Sequence, residues 1–134
     1  MANAHVPPTG TFKLVSDENY DEYLRARGAD MAMIKLARSF KPTVTITAEG
    51  DSVTFAVGTP FKTLVWEFTP DQEQQIELMN GSSIKAVLTG ENGKWIINES
   101  ESPDTVQVWE TVDADLRSTL TFGGVECVRT YAAA

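Results

Sequence analysis

Residues Lys41–Phe68 read KPTVTITAEGDSVTFAVGTPFKTLVWEF. Apolar and polar side chains alternate along Thr43–Glu49, break at Glu49-Gly50-Asp51, then alternate again along Ser52–Val57 and Phe61–Phe68. A period of two places every second side chain on one face of an extended chain, and the Gly at the break supplies the positive φ of a tight turn. These are strands joined by hairpins. The same rhythm continues through Gln74–Leu78, Ser83–Thr89, Lys94–Ser100, Thr105–Val112, Leu116–Phe122 and Val125–Tyr131. Its breaks fall at Asn80-Gly81, Glu91-Asn92-Gly93, Ser102-Pro103-Asp104, Val112-Asp113-Ala114-Asp115 and Gly123-Gly124. Phe12–Val15 adds a strand in front. Sequential hairpins make an antiparallel meander, and one this long either leaves two exposed edges or curls until its ends meet; closure is expected, because it removes the edges.

One stretch departs from this rhythm. Between Asp17 and Phe40, Tyr20, Tyr23, Leu24 and Arg27 recur at helical spacing, as do Met33, Leu36, Ala37 and Phe40. Ser16 or Asp17 can cap a first helix, and Asp17, Glu18, Asp21 and Glu22 suit the positive end of its dipole. Gly28 ends that helix, Asp30 caps a second, and Lys41-Pro42 stops the chain before the next strand. Two helices of about ten residues build no core of their own, so their Tyr and Met faces are expected to pack on one end of the barrel.

Composition narrows the function. The chain has 134 residues, with 11 Lys and Arg against 19 Asp and Glu, a net charge of −8. That is a single domain, 1–134, long enough to bury roughly 65–70% of its unfolded surface. The acidic balance argues against nucleic acid, whose binding rests on cations that neutralise phosphates. The lone Cys127 forms no internal disulfide, Met1–Gly10 has no apolar core, and no segment approaches the ~18 apolar residues of a membrane span. A cytoplasmic, soluble protein is expected. No repeat, low-complexity segment or linker interrupts it.

Catalytic patterns are wanting. The only His, His5, lies in the polar tail, so neither a Ser–His or Cys–His pair nor a His-ligated metal site is expected. No phosphate-binding, dinucleotide-binding or nucleophile-elbow motif occurs. The formal sequons at Asn80-Gly81-Ser82 and Asn98-Glu99-Ser100 read as turn and strand residues, and the many carboxylates as solvated outer-face charges. No catalytic residue, metal or cofactor is expected.

The informative segment is the last strand, Val125-Glu126-Cys127-Val128-Arg129-Thr130-Tyr131. Alternation puts Val125, Cys127, Arg129 and Tyr131 on one face. Outward, Arg129 is an ordinary surface cation. Inward, its guanidinium cannot shed its proton and needs an anion or acceptors around it, and with a phenol nearby it suits a carboxylate.

Gly10-Thr11-Phe12-Lys13-Leu14, Asp17-Glu18-Asn19-Tyr20-Asp21-Glu22-Tyr23-Leu24, Lys41-Pro42, Gly50-Asp51, Phe61-Lys62-Thr63 and the closing Cys127–Tyr131 together resemble the fatty-acid-binding protein family of intracellular lipid-binding proteins, over nearly the whole chain. The resemblance implies a mainly β fold: a ten-stranded antiparallel up-and-down β-barrel, capped by a helix-turn-helix lid over about 17–40 and enclosing a cavity for a fatty acid, retinoid or similar apolar ligand. It implies that Arg129 and Tyr131 anchor the ligand carboxylate, and that Tyr20, Tyr23, Leu24, Met33 and Phe61 meet its tail at the lid and portal.

The family's fatty-acid binders usually carry a second inward Arg on the eighth strand. Thr105–Thr111 here reads TVQVWET. One register turns Gln107 and Trp109 inward, as in retinoid-type pockets that use Gln. The other turns Glu110 inward, where it could neutralise Arg129 and favour a neutral or amine-bearing ligand. The first is expected, since an aromatic gains more from a cavity wall than from the wet exterior. Glu99, if inward with Trp95 and Ile97, is a further candidate counter-ion for Arg129. Arg25, Arg27, Lys35 and Arg38 form a local basic set, either solvated or a weak contact for anionic membranes through the lid. Cys127, inward beside the anchor, is either a small core residue or a thiol open to electrophilic lipids.

The expectation is a monomeric, non-enzymatic carrier of one long-chain fatty acid or similar hydrophobic molecule. A retinoid, isoprenoid or other neutral-lipid carrier is the alternative, and an empty barrel acting as an interaction module is a second one.

Overall fold

The structure, a computed structural model, describes residues 7–78, 82–102 and 104–134. His5, the Asn80-Gly81 turn with its sequon, and Pro103 lie outside them. The chain forms β1 (Gly10–Glu18), α1 (Tyr20–Ala26), α2 (Met31–Arg38), β2 (Thr43–Glu49), β3 (Ser52–Gly58), β4 (Thr63–Phe68), β5 (Glu73–Glu77), β6 (Ser83–Glu91), β7 (Lys94–Glu99), β8 (Val106–Val112), β9 (Asp115–Phe122) and β10 (Val125–Ala133). All pairings are antiparallel, sequence neighbours pair everywhere along the strands except between β4 and β5, and β1 bonds to both β2 and β10. The order β4-β3-β2-β1-β10-β9-β8-β7-β6-β5 is the curled meander that the alternation predicts.

Inside the barrel the apolar phase of each strand meets that of its neighbours: Val44 and Ile46 of β2, Val53 and Phe55 of β3, Trp66 and Phe68 of β4, Leu88 of β6 and Ile97 of β7 are all buried. Among the described residues no backbone ladder joins β4 to β5. The ring closes there by side chains instead. The Trp66 indole N–H donates to the Glu77 carbonyl (2.8 Å), and Lys62 Nζ lies 3.4 Å from Glu77 Oε2. At the end away from the helices, the chain ahead of β1 crosses the opening, and the buried Pro8 accepts a hydrogen bond from the Trp95 indole (2.8 Å).

The lid differs from the expected 17–40 at its entrance. β1 runs on to Glu18, and α1 begins only at Tyr20. Neither Ser16 nor Asp17 caps it. Asn19 holds the N-cap position in the left-handed region (φ 66°), which Asn tolerates better than most residues, and makes no side-chain cap. Its amide nitrogen instead donates to the Glu126 carbonyl (2.9 Å), tying the lid to β10. Asp30 does cap α2, accepting from the Met33 N–H at 2.9 Å. Tyr23 of α1 and Ile34 of α2 are buried. Met33 and Leu36, expected to pack on the barrel, are 40% and 51% exposed and border its mouth.

Candidate functional site

Arg129 is carried by β10, whose register with β9 sets it opposite Ser118 and sets Tyr131 opposite Leu116. The face bearing Cys127, Arg129 and Tyr131 is buried, so the guanidinium looks into the barrel with 8% exposure. Burial works against its charge, but the neighbouring Tyr131 and Tyr20 phenols and Asp17 more than offset that, and it stays a cation. Its Cζ stands 3.9 Å from the centre of the Tyr20 ring and 5.9 Å from that of Tyr131, both within cation–π range. Burial raises the pKa of both phenols, so they remain neutral and Tyr131 keeps a proton to donate. Two buried polar atoms on this wall, Arg129 Nε and Ser118 Oγ, have no hydrogen-bond partner among the described residues. Such groups are costly unless a partner arrives.

β8 settles its own register. Gln107 and Trp109 are buried, and Glu110 lies on the outer face, 3.7 Å from Lys94. Glu110 therefore does not neutralise Arg129. Trp109 packs between the rings of Phe55 (5.4 Å) and Tyr131 (5.7 Å), and its indole N–H donates to Gln107 Oε1 at 3.1 Å. That bond orients the amide and leaves its NH₂ without a protein partner among the described residues.

These walls enclose a cavity of about 320 Å³, within the range of small-molecule sites. Arg129, Tyr131, Gln107, Trp109 and Ser118 form its polar side, with Tyr20, Tyr23 and Leu24 of α1 above. Met33 of α2 and Phe61, in the turn between β3 and β4, border it as well. Phe61 is 66% exposed and meets the edge of Phe40 with ring centres 5.7 Å apart. The structure thus brings to one cavity all nine residues that the sequence nominates.

Sequence reasoning missed two charged residues beside the cavity. Arg129's carboxylate neighbour is Asp17, with Oδ2 at 3.8 Å from Nε, near enough to attract but too far for a hydrogen bond. Glu99, the other candidate, pairs instead with Arg27 of α1 at 2.9 Å. Arg27 also lies over the Phe122 ring at 4.8 Å, so it is an inward cation and not part of a basic surface. Of the remaining basic set, Arg25 pairs with Glu22, and Arg38 lies 3.4 Å from Asp17 and 3.1 Å from Asp21. Lys35 alone of the four has no acidic partner among the described residues. Burial pushes the Cys127 thiol up to about 12, so it stays protonated and unreactive. Among the described residues no three His, Cys, Asp or Glu side chains come together to hold a metal ion, and no helix is long and apolar enough to cross a membrane.

The pattern of the lipocalin / cytosolic fatty-acid binding protein family matches residues 6–132. Sodium/calcium exchanger regulatory protein 1 of Doryteuthis pealeii is 34% identical over 122 residues, spanning 91% of this chain and 92% of that one. The fatty acid-binding protein from brain tissue of Drosophila melanogaster has a TM-score of 0.83 and 35% identity, over 96% of this chain and 99% of its own. The Schistosoma mansoni fatty acid binding protein, solved with arachidonic acid, has a TM-score of 0.86 and 25% identity, over 98% and 97% of the two chains.

Proposed function

The chain belongs to the lipocalin / cytosolic fatty-acid binding protein family, and on that premise we propose that it is a cytoplasmic, monomeric, non-enzymatic carrier of one long-chain fatty acid. The observation that carries this is the buried Arg129, whose Nε has no hydrogen-bond partner among the described residues and whose side chain faces a largely apolar cavity. An anionic head supplies what that wall lacks. Arg129 and Tyr131 donate to the carboxylate, the Gln107 NH₂ and the Ser118 hydroxyl add donors, and Trp109 lines the wall beside it. Tyr20, Tyr23, Leu24, Met33 and Phe61 cover the chain of the ligand. Affinity comes mainly from burying that chain, at roughly 25 cal/mol per Å² of apolar surface, while the head fixes orientation.

In the Schistosoma mansoni relative a carboxylic acid, arachidonic acid, is the bound molecule. The Gln107 amide can serve an acid or an alcohol, so the preference for an acid over a retinoid-type alcohol rests on the Arg129 cation. Contact of the lid with a membrane during transfer rests on the exposed Met31, Leu36 and Phe61 more than on the internally paired basic residues. A second reading follows from the name of the Doryteuthis pealeii relative, a sodium/calcium exchanger regulatory protein: the loaded barrel acts on a partner protein.

The test is Arg129→Gln, assayed with a long-chain fatty acid and with its methyl ester. Loss of a charge-assisted pair worth about 1.5–3 kcal/mol weakens the acid by about 10- to 150-fold and the ester by less than about threefold. Equal losses for both would remove Arg129 as the anchor.

A further inference from the structure

We propose that Asp17 competes with the ligand's acid group for Arg129, and that this competition sets how strongly the cavity prefers a carboxylate to a neutral head. The inference rests on the reading that Arg129 holds the head. Asp17 does not line the ligand cavity. It lies beside Arg129 on the neighbouring strand β1, with Oδ2 3.8 Å from Nε, and borders a separate hollow of about 350 Å³ with Ser16, Arg38 and Lys41. Its other oxygen, Oδ1, lies 3.4 Å from Nη1 of Arg38, which also reaches Asp21 at 3.1 Å. One carboxylate is therefore shared between an interior cation and one at the protein surface.

A carboxylate arriving from the cavity side meets a guanidinium whose charge is already partly compensated, and it also meets the repulsion of Asp17 through the same group. A neutral head experiences neither effect. Asp17 thus lowers affinity for acids selectively, acting through Arg129. Arg38 draws Asp17 outward and relieves the competition. The two residues should consequently shift the acid-to-ester affinity ratio in opposite directions, which a merely structural role would not do.

The experiment measures displacement of a fluorescent fatty-acid probe by palmitic acid and by its methyl ester at low ionic strength. The proteins are the unchanged chain, Asp17→Asn, Arg38→Gln, Arg129→Gln and the double variant Asp17→Asn/Arg129→Gln. In Asp17→Asn the ratio is expected to rise about fivefold to tenfold. In Arg38→Gln it falls about twofold, less because Arg38 is half exposed and screened. In the Arg129→Gln background, Asp17→Asn raises the ratio by clearly less than it does in the unchanged chain, because only direct repulsion is left to relieve. A ratio that stays level or falls in Asp17→Asn, while Arg129→Gln still collapses it, overturns the competition and leaves the anchor standing. Should Asp17→Asn not fold, an unchanged or raised ratio in Arg38→Gln overturns it equally. A ratio indifferent to Arg129→Gln removes the anchor itself, and the competition with it.

Discussion

Arg129 is held against two phenols, Tyr20 and Tyr131, whose burial extends the range over which they stay protonated. Cys127, two positions before Arg129 on the same face, is fully buried. Its thiol ionises near about 8.5 in an unfolded chain and near about 12 in the folded one. The folded state holds this proton more tightly, so the contribution is intact below the unfolded value and is lost as pH rises above it. The expected loss is about 1.4 kcal/mol per pH unit while only the unfolded thiol is ionised. Urea midpoints should therefore decline from about pH 8.5 upward, and Cys127→Ser should delay the decline to the range of the buried tyrosines, near about pH 10. A midpoint that does not move between those values would contradict the assignment. Alternation alone told that Arg129, Tyr131 and Cys127 share a face; which face turned inward needed the partner strands.

At the scale of elements, the β1 bulge explains what the sequence concealed. Leu14 lies opposite Tyr131, but the register then shifts, so that Ser16 meets Thr130 and Asp17 meets Arg129. Leu14 and Asp17 thus fall on one face three residues apart, a spacing that a strand period of two does not signal. Asp17 therefore reads as a helix cap in the sequence and acts as a strand residue in the fold. Ten strands, two helices and their order were legible because each apolar phase spans a whole strand, whereas the entrance to α1 was not. Arg27 was illegible for a related reason: helical spacing put it with Tyr20 and Tyr23, but its partner Glu99 is brought near only by barrel closure. The pair is nearly buried, at 16% and 10% side-chain exposure, and it fastens the end of α1 to β7. Glu99→Gln leaves that cation unpaired and should cost roughly 2–4 kcal/mol, while Arg27→Met with Glu99→Leu should cost much less. Equal penalties for the single and double variants, measured by urea unfolding, would show that the latch carries no coupling.

Considered whole, the molecule is a ring of hydrogen-bonded strands with one side-chain-stitched seam between β4 and β5, a lid fastened through α1, and a mouth bordered by α2 and the exposed Phe61. α1 is held by Asn19, Tyr20 and Arg27, whereas Met33 and Leu36 of α2 remain exposed at the opening. This division suits a container that must stay intact while a ligand passes. The sequence could nominate the cavity residues because strand alternation and the family's motifs agreed on them. It could not give the seam or the cavity's volume, which depend on side-chain packing across distant strands. The central claim is that an acid head lies against Arg129 inside the barrel. Its most direct measurement is the carbon NMR resonance of a fatty acid labelled at its carboxyl carbon, followed with pH while bound. The account predicts one bound resonance that stays that of a carboxylate well below the ordinary titration range, for as long as the protein remains folded, and that reverts toward ordinary titration in Arg129→Gln. A bound carboxyl that titrates as it does in water, and does so equally in both proteins, would contradict it.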